Sequence, residues 1–199
     1  MTTLMQDIFG PGSNVRGRVY RDYRKLRSVV EACKNLNLRI VLTSGTFDLF
    51  HVGHSRYLEQ AKKHGEVLVV GVDSDDKTRH KKGPHRPVVH EDERMEILCH
   101  TRHVDLVFLK QAHDHKWQLI KTVLPHVLIV TEESYGDKEL SRLRKFCGKV
   151  VVLKPQAITS TTARIRRVLV SPADQVKKKL EAAFADISSL LDELTGGVK

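Results

Sequence analysis

The chain is poor in cysteine and aromatic residues and has no long apolar run. Its three cysteines, Cys33, Cys99 and Cys147, are far apart and form no C-x-x-C pair. That rules out a disulfide framework and argues against a zinc site. A reducing, cytoplasmic setting fits this usage. No stretch approaches the roughly 20 apolar residues of a membrane span. Met1 to Asn14 has no apolar run after a basic start, so no secretory leader is expected. Aromatic residues make up only 6% of the chain, with one tryptophan. No helix-turn-helix, zinc finger or paired RNA-binding aromatic motif is visible, which argues against a nucleic-acid-binding protein. Acid is also short: 24 Asp and Glu stand against 34 Lys and Arg, a net charge of +10. That excess calls for an anionic partner: nucleic acid, an acidic membrane surface or phosphorylated small molecules.

What remains is a globular composition. Over 199 residues, 40% are hydrophobic and 29% charged, which suits one domain with appendages. Residues 1–20 are polar around Gly10-Pro11-Gly12 and read as a mobile arm. Residues 21–37 carry Leu26, Val29, Val30, Cys33 and Leu36 at helical spacing, with Arg21, Arg24, Lys25, Arg27 and Lys34 on the other face. Short Val-, Ile- and Leu-rich runs then follow at residues 39–44, 66–72, 104–109, 127–130 and 149–153. Helical patterns lie between them at 54–64, 91–101, 116–124 and 138–146. Alternating strands and helices predict an α/β fold, a Rossmann-like doubly wound five-stranded parallel sheet. Helical extensions are expected at both ends. The domain proper covers 21–168. From Ser171, Val176, Leu180, Ala183, Ile187, Leu190 and Leu194 mark a separate helix over 171–199 with a 3.5-residue period.

The chemistry concentrates after the first strand, in Gly45-Thr46-Phe47-Asp48-Leu49-Phe50-His51-Val52-Gly53-His54. In an open parallel sheet, ligands sit beyond the carboxyl ends of the strands. Gly45 permits close backbone approach. His51 and His54 are three apart at a helix start and so share a face. A helix N-terminus offers unpaired N–H groups and a positive dipole end, a phosphate site to which two imidazoles add donors. A second segment, Ser160-Thr161-Thr162-Ala163-Arg164-Ile165-Arg166-Arg167, follows the last strand. Its hydroxyls either clamp outer phosphates or simply cap a helix. Lys82, Arg86 and Arg102 are candidate grips for an anionic substrate. Asp48 either helps to hold magnesium or orients a loop amide, and Asp73 either faces the nucleotide or caps a loop. Glu132, at the end of the fourth predicted strand, is a candidate receiver of a polyhydroxyl acceptor.

G-T-F-D-L-F-H-V-G-H together with S-T-T-A-R-I-R-R resembles the cytidylyltransferase-like nucleotidyltransferases. The resemblance runs from about Tyr23 to Val168. It implies a nucleoside triphosphate, a phosphorylated small-molecule acceptor, Mg2+, release of pyrophosphate and usually a homodimer. It also implies that His54 and His51 serve the reaction, with Gly45, Thr46, Phe47, Ser160, Thr161 and Thr162 on the nucleotide. Within the family, Lys82-Gly83-Pro84-His85-Arg86-Pro87-Val88 with Arg94-Met95 resembles the adenylyltransferases of ADP-heptose synthesis. This makes ATP and a sugar 1-phosphate the first expectation. Residues 130–135 depart from the K-G-G-D-like run usual there. Thr101-Arg102-His103-Val104-Asp105 instead resembles the enzymes that use CTP with glycerol phosphate or choline phosphate.

Overall fold

The computed structural model describes residues 15–132 and 135–154, and in the C-terminal segment residues 177, 179–181, 183, 184 and 187. In chain order the elements are α1 (Val15–Arg18), β1 (Val19–Tyr20), α2 (Tyr23–Asn35), β2 (Ile40–Gly45), α3 (Val52–Lys62), β3 (Val67–Asp73) and α4 (Asp75–Lys82). They continue with α5 (Glu91–His100), β4 (Leu106–Lys110), α6 (Gln118–Val123), β5 (Val127–Thr131), α7 (Asp137–Leu143) and β6 (Lys149–Leu153). The six strands form one parallel sheet in the order β1-β4-β3-β2-β5-β6. The order reverses between β2 and β5, so the switch-point crevice lies beyond their carboxyl ends.

Alternating side chains of the central strands feed two cores, as a doubly wound sheet requires. Ile40, Leu42, Val67 and Val69 join Leu26 and Val30 of α2 and Leu119 and Val123 of α6 on one face. Val41, Leu68, Val70 and Val72 join Leu58 and Ala61 of α3 and Met95 and Leu98 of α5 on the other. The Asp22 side chain caps α2 by accepting the Arg24 N–H at 2.7 Å.

Two features differ from the expectation. Residues 15–20, counted with the mobile arm, form α1 and β1, and β1 is a sixth strand on the β4 edge. Arg18 explains this placement. It is 6% exposed and donates to the carbonyls of Asp105 and Cys99, each at 2.9 Å, and of Val104. Those carbonyls end α5 and its exit turn, where a cation is favoured. The second difference is α4, a helix almost without apolar residues. Ser74 caps it by accepting the Lys77 N–H, and Asp75 and Asp76 precede a last turn of Arg79, His80, Lys81 and Lys82. Cap and dipole, rather than a buried stripe, start and orient it.

The chain divides into two compact units, 1–158 and 159–199. In the second, the described residues are helical, and Leu180, Phe184 and Ile187 are exposed. Among the described residues no helix is long and apolar enough to cross a membrane.

Candidate active site

β2 ends at Gly45, and the turn from there to α3 is wound tightly. Phe47 and Leu49 both have left-handed backbone, with φ of 53° and 46°. Bulky residues rarely adopt that conformation, and each instance costs about 1–3 kcal/mol. The turn is held by its surroundings. The Phe47 ring is buried and lies over Gly45, where a Cβ would meet its Cε2 at 3.0 Å. Gly45 thus makes room for its own chain's phenylalanine. The Thr46 carbonyl accepts Arg94 Nη1 at 2.5 Å.

Asp48 is 2% exposed. Its Oδ2 accepts Arg86 Nε at 2.8 Å, and its oxygens also take the amides of Val88 and Val89 at 3.0–3.1 Å. Burial alone would raise this carboxyl. The Val89 and Val88 amides and Arg86 outweigh burial and hold its pKa below the usual value. These contacts are the ones the loop-orienting role calls for. Among the described residues no group of three His, Cys, Asp or Glu is placed to hold a metal ion.

Arg94 fastens the same region from below. It is 1% exposed and joins the Thr46 carbonyl, the Val89 carbonyl at 2.9 Å and Asp75 Oδ1 at 2.7 Å. One buried guanidinium thus ties the turn before α3, the loop before α5 and the start of α4.

His51 is the N-cap of α3, and its Nδ1 accepts the Gly53 N–H at 3.1 Å. With Nδ1 accepting, a neutral ring carries its proton on Nε2, which then serves as a donor. The His54 ring stacks on His51 with centroids 4.0 Å apart and an interplanar angle of 23°. Phe47 and Phe50 flank His54, each at 5.4 Å. Helix start, glycine and two imidazoles thus meet at the carboxyl end of β2, beside the switch point.

The other candidates separate. The Arg86 side chain is nearly buried on Asp48. Lys82 ends α4 and has no carboxylate partner among the described residues. Desolvation, and then Arg86, lower its pKa. Asp73 ends β3 between two ammonium groups, Lys110 Nζ at 3.0 Å and Lys81 Nζ at 2.9 Å. Glu132 is exposed just past β5. Tyr135, packed on the core nearby, has its pKa raised by burial and by the charge of Asp73. Arg102 is not brought to the site. It is exposed in the turn between α5 and β4, at the amino end of the sheet, where Asp105 accepts the Leu68 N–H. Ser160, Thr161 and Thr162 lie outside the described residues. Arg94, Lys81 and Lys110 are the site-region residues that pattern reading gave no role. Lys110 had a usable signal, since it ends a strand beside Asp73.

A model of the cytidylyltransferase-like family matches residues 42–189. The chain belongs to that family. Membership marks it as a chain of a nucleotidyltransferase family. It is 37% identical over 174 residues to "Bifunctional protein HldE" of Aliarcobacter butzleri, covering 84% of this chain and 35% of that protein. It is 36% identical over 148 residues to the protein of the same name from Syntrophotalea carbinolica, covering 72% and 30%. The chain thus spans about a third of the length of these curated relatives. Among solved structures, it is similar to the lipopolysaccharide core biosynthesis protein of Thermoplasma volcanium, with a TM-score of 0.54 and 27% identity over 60% of this chain and 99% of that one. The pantoate-beta-alanine ligase of Francisella tularensis shares the fold, with a TM-score of 0.54 at 15% identity over 70% and 67%.

Proposed function

We propose that this nucleotidyltransferase moves an adenylyl group from ATP to a sugar 1-phosphate such as heptose 1-phosphate, releasing pyrophosphate. The observation that carries the reading is the pair of stacked imidazoles on a helix capped by one of them, His51. The adenylyl and sugar choices are supported by the Lys82–Val88 and Arg94-Met95 pattern. The Thermoplasma neighbour, a lipopolysaccharide core biosynthesis protein, supports a sugar acceptor.

In this reading an acceptor phosphate oxygen attacks the α-phosphorus in line, and pyrophosphate leaves opposite. The acceptor is already an anion, so the chain needs no strong base. It must place two polyanions together and neutralise the charge that develops. His54 donates to the α-phosphate as charge grows there. The Nε2 proton of His51 holds a neighbouring phosphate. The amides of Thr46 and Phe47 border the same place. Lys82 and the outer side of Arg86 face the acceptor. A magnesium ion bound with the nucleotide would supply charge neutralisation of its phosphates, and Asp48 is the carboxylate of the turn that would be nearest to help hold it. The roles of Ser160, Thr161 and Thr162 on the outer phosphates rest on the resemblance alone. A homodimer and a cytoplasmic setting belong to the same reading.

The test is pyrophosphate release from each nucleoside triphosphate with magnesium and a panel of sugar 1-phosphates, glycerol 3-phosphate and choline phosphate. Turnover with ATP and a sugar 1-phosphate is expected. Turnover confined to CTP and glycerol or choline phosphate would replace the adenylyl reading with a cytidylyl one.

A further inference from the structure

The amino end of the sheet, opposite the site, carries a surface that no step above uses. α2 closes on its C-cap Leu36 and α6 on its C-cap Leu124. Lys34 Nζ links these two helix ends by donating to the carbonyls of Val123 and Leu124, each at 2.8 Å. Leu36 is 38% exposed and Leu124 51%. Leu124 also has left-handed backbone, with φ of 43° and ψ of 64°. Glycine or asparagine takes that conformation at a helix end with less strain. The fold recovers little for this strain, since half of the leucine stays in water.

Around the two leucines one sign of charge prevails. Arg39 follows α2, Lys121 lies in the last turn of α6, Arg144 and Lys145 follow α7, and Lys149 opens β6. All are exposed. Lys121 Nζ lies over the Phe146 ring at 5.4 Å, which joins the end of α6 to the exit of α7. The Lys149 N–H bonds the His126 carbonyl at 2.9 Å, beside the Leu124 turn. Two acids belong to this end. Glu31 lies within electrostatic range of Lys34, and Glu66 accepts the Arg39 N–H at 2.8 Å and feels the Arg39 charge. Set against Lys34 and Arg39, they leave Lys121, Arg144, Lys145 and Lys149, which form no ion pair among the described residues. Glu139 lies at the other end of α7, paired with Lys116. The local field is positive even beside Glu66: desolvation, then the charges of Lys34 and Arg39, lower the pKa of His126.

Exposed apolar tips within a basic rim match a bilayer surface that carries anionic headgroups. The leucines enter the boundary between headgroups and acyl chains, and the cations meet the lipid phosphates. A second copy of the chain fits badly, because it would bring like charges face to face. A nucleic acid fits badly too, because its phosphates make no use of the leucines. The one ring beside the patch, Phe146, is partly buried under Lys121 and offers bases no stacking platform. We infer that the amino end of the sheet around Leu36 and Leu124 docks on an anionic lipid surface. Docked this way, the site beyond the carboxyl ends stays open to water and to small substrates. The inference goes beyond the transfer reading and does not depend on it.

The experiment is flotation of the full chain with vesicles of phosphatidylcholine alone and of phosphatidylcholine mixed with phosphatidylglycerol. Binding is expected to the mixed vesicles only, and it should weaken as salt is raised. Lys121→Gln with Lys149→Gln should weaken it about 25-fold, roughly fivefold for each charge. Leu124→Gly should weaken it about tenfold, the share of one leucine tip. Its melting temperature should stay within about 3 °C of the parent, since glycine accepts the left-handed backbone. Arg24→Gln, at the other end of α2 and 92% exposed, should change binding less than about twofold. No binding to the mixed vesicles, equal binding to the neutral ones, lysine and leucine variants that bind like the parent, or equal damage from Arg24→Gln would overturn the inference. So would tighter binding of RNA than of mixed vesicles at the same salt, lost in the same variants, which would give the surface to nucleic acid. Flotation uses no nucleotide and no acceptor, so its failure is distinct from a failure of the pyrophosphate assay.

Discussion

The Asp48 carboxylate holds Arg86 Nε at 2.8 Å, with both side chains nearly buried, at 1% and 11% exposure. This pair joins the turn that precedes α3 to the loop that precedes α5 across 38 residues of chain. Replacing Asp48 by Asn removes the charge and leaves Arg86 enclosed without its counter-ion. The expected cost is about 3 kcal/mol, the range for breaking a buried pair, read as a lower urea midpoint. Turnover should fall as the α3 turn loosens, but its magnesium dependence should not shift. A large rise in the magnesium needed for half-maximal rate would return Asp48 to the metal.

Asp48 and Asp73 should set the acid limit of the fold. Asp48 and Asp73 both titrate below the ordinary 3.8. Burial opposes this, and the amides and Arg86 around Asp48, and Lys110 and Lys81 around Asp73, outweigh it. A lowered folded-state pKa contributes stability that is complete above 3.8 and drains away as pH falls through the folded value. Asp105 has the opposite sign. Burial raises it despite Lys62, so its contribution is present at low pH and lost as pH rises through its folded value. Urea midpoints measured from about pH 6 to pH 2.5 should therefore fall on the acid side. Asp48→Asn should flatten the part of that fall below 3.8. An unchanged slope in the variant would show that Asp48 is not among the groups responsible.

His51 and His54 should part company under mutation although their rings stack at 4.0 Å. His51 caps α3, so His51→Ala costs about 1 kcal/mol of stability as well as rate. His54 does not cap the helix. His54→Ala should cost about 100-fold or more in turnover, with a melting temperature within about 3 °C of the parent. Near-parental turnover with a confirmed acceptor pair would remove His54 from the mechanism.

The central strands were legible because burial on both faces leaves unbroken apolar runs, as in Val67–Asp73. The His51 and His54 turn was legible because glycine, imidazole and helix start fall within ten residues. Arg18 was not, since the carbonyls it satisfies lie 81–87 residues away and a lone arginine in a polar stretch reads as solvated. α4 was missed because apolar periodicity was the signal sought. Its Ser74 cap and its acid-to-base gradient would have revealed it. Arg94 shows the limit of local reading. Its three partners, Thr46, Asp75 and Val89, come from separate turns that only the folded sheet brings together.

Arg102 and Lys82 give the sharpest contrast between motif and placement. Both are exposed cations in stretches that resemble family patterns. Lys82 follows the carboxyl end of β3, within electrostatic range of Asp48 and Asp73. Arg102 sits at the other end, before β4 begins, and seven residues of β3 put about 20 Å between the two ends. Desolvation and Arg86 lower the Lys82 pKa, and in the proposed reading an anionic acceptor beside it would offset this. Lys82→Ala should raise the KM for the acceptor about tenfold, one charged contact's worth, with a smaller change in kcat. Arg102→Ala should leave both constants within about twofold, as a solvated charge far from the reacting groups does. Equal damage from the two substitutions would mean that the amino end of the sheet reaches a substrate, and the site drawn at the carboxyl ends would have to be extended.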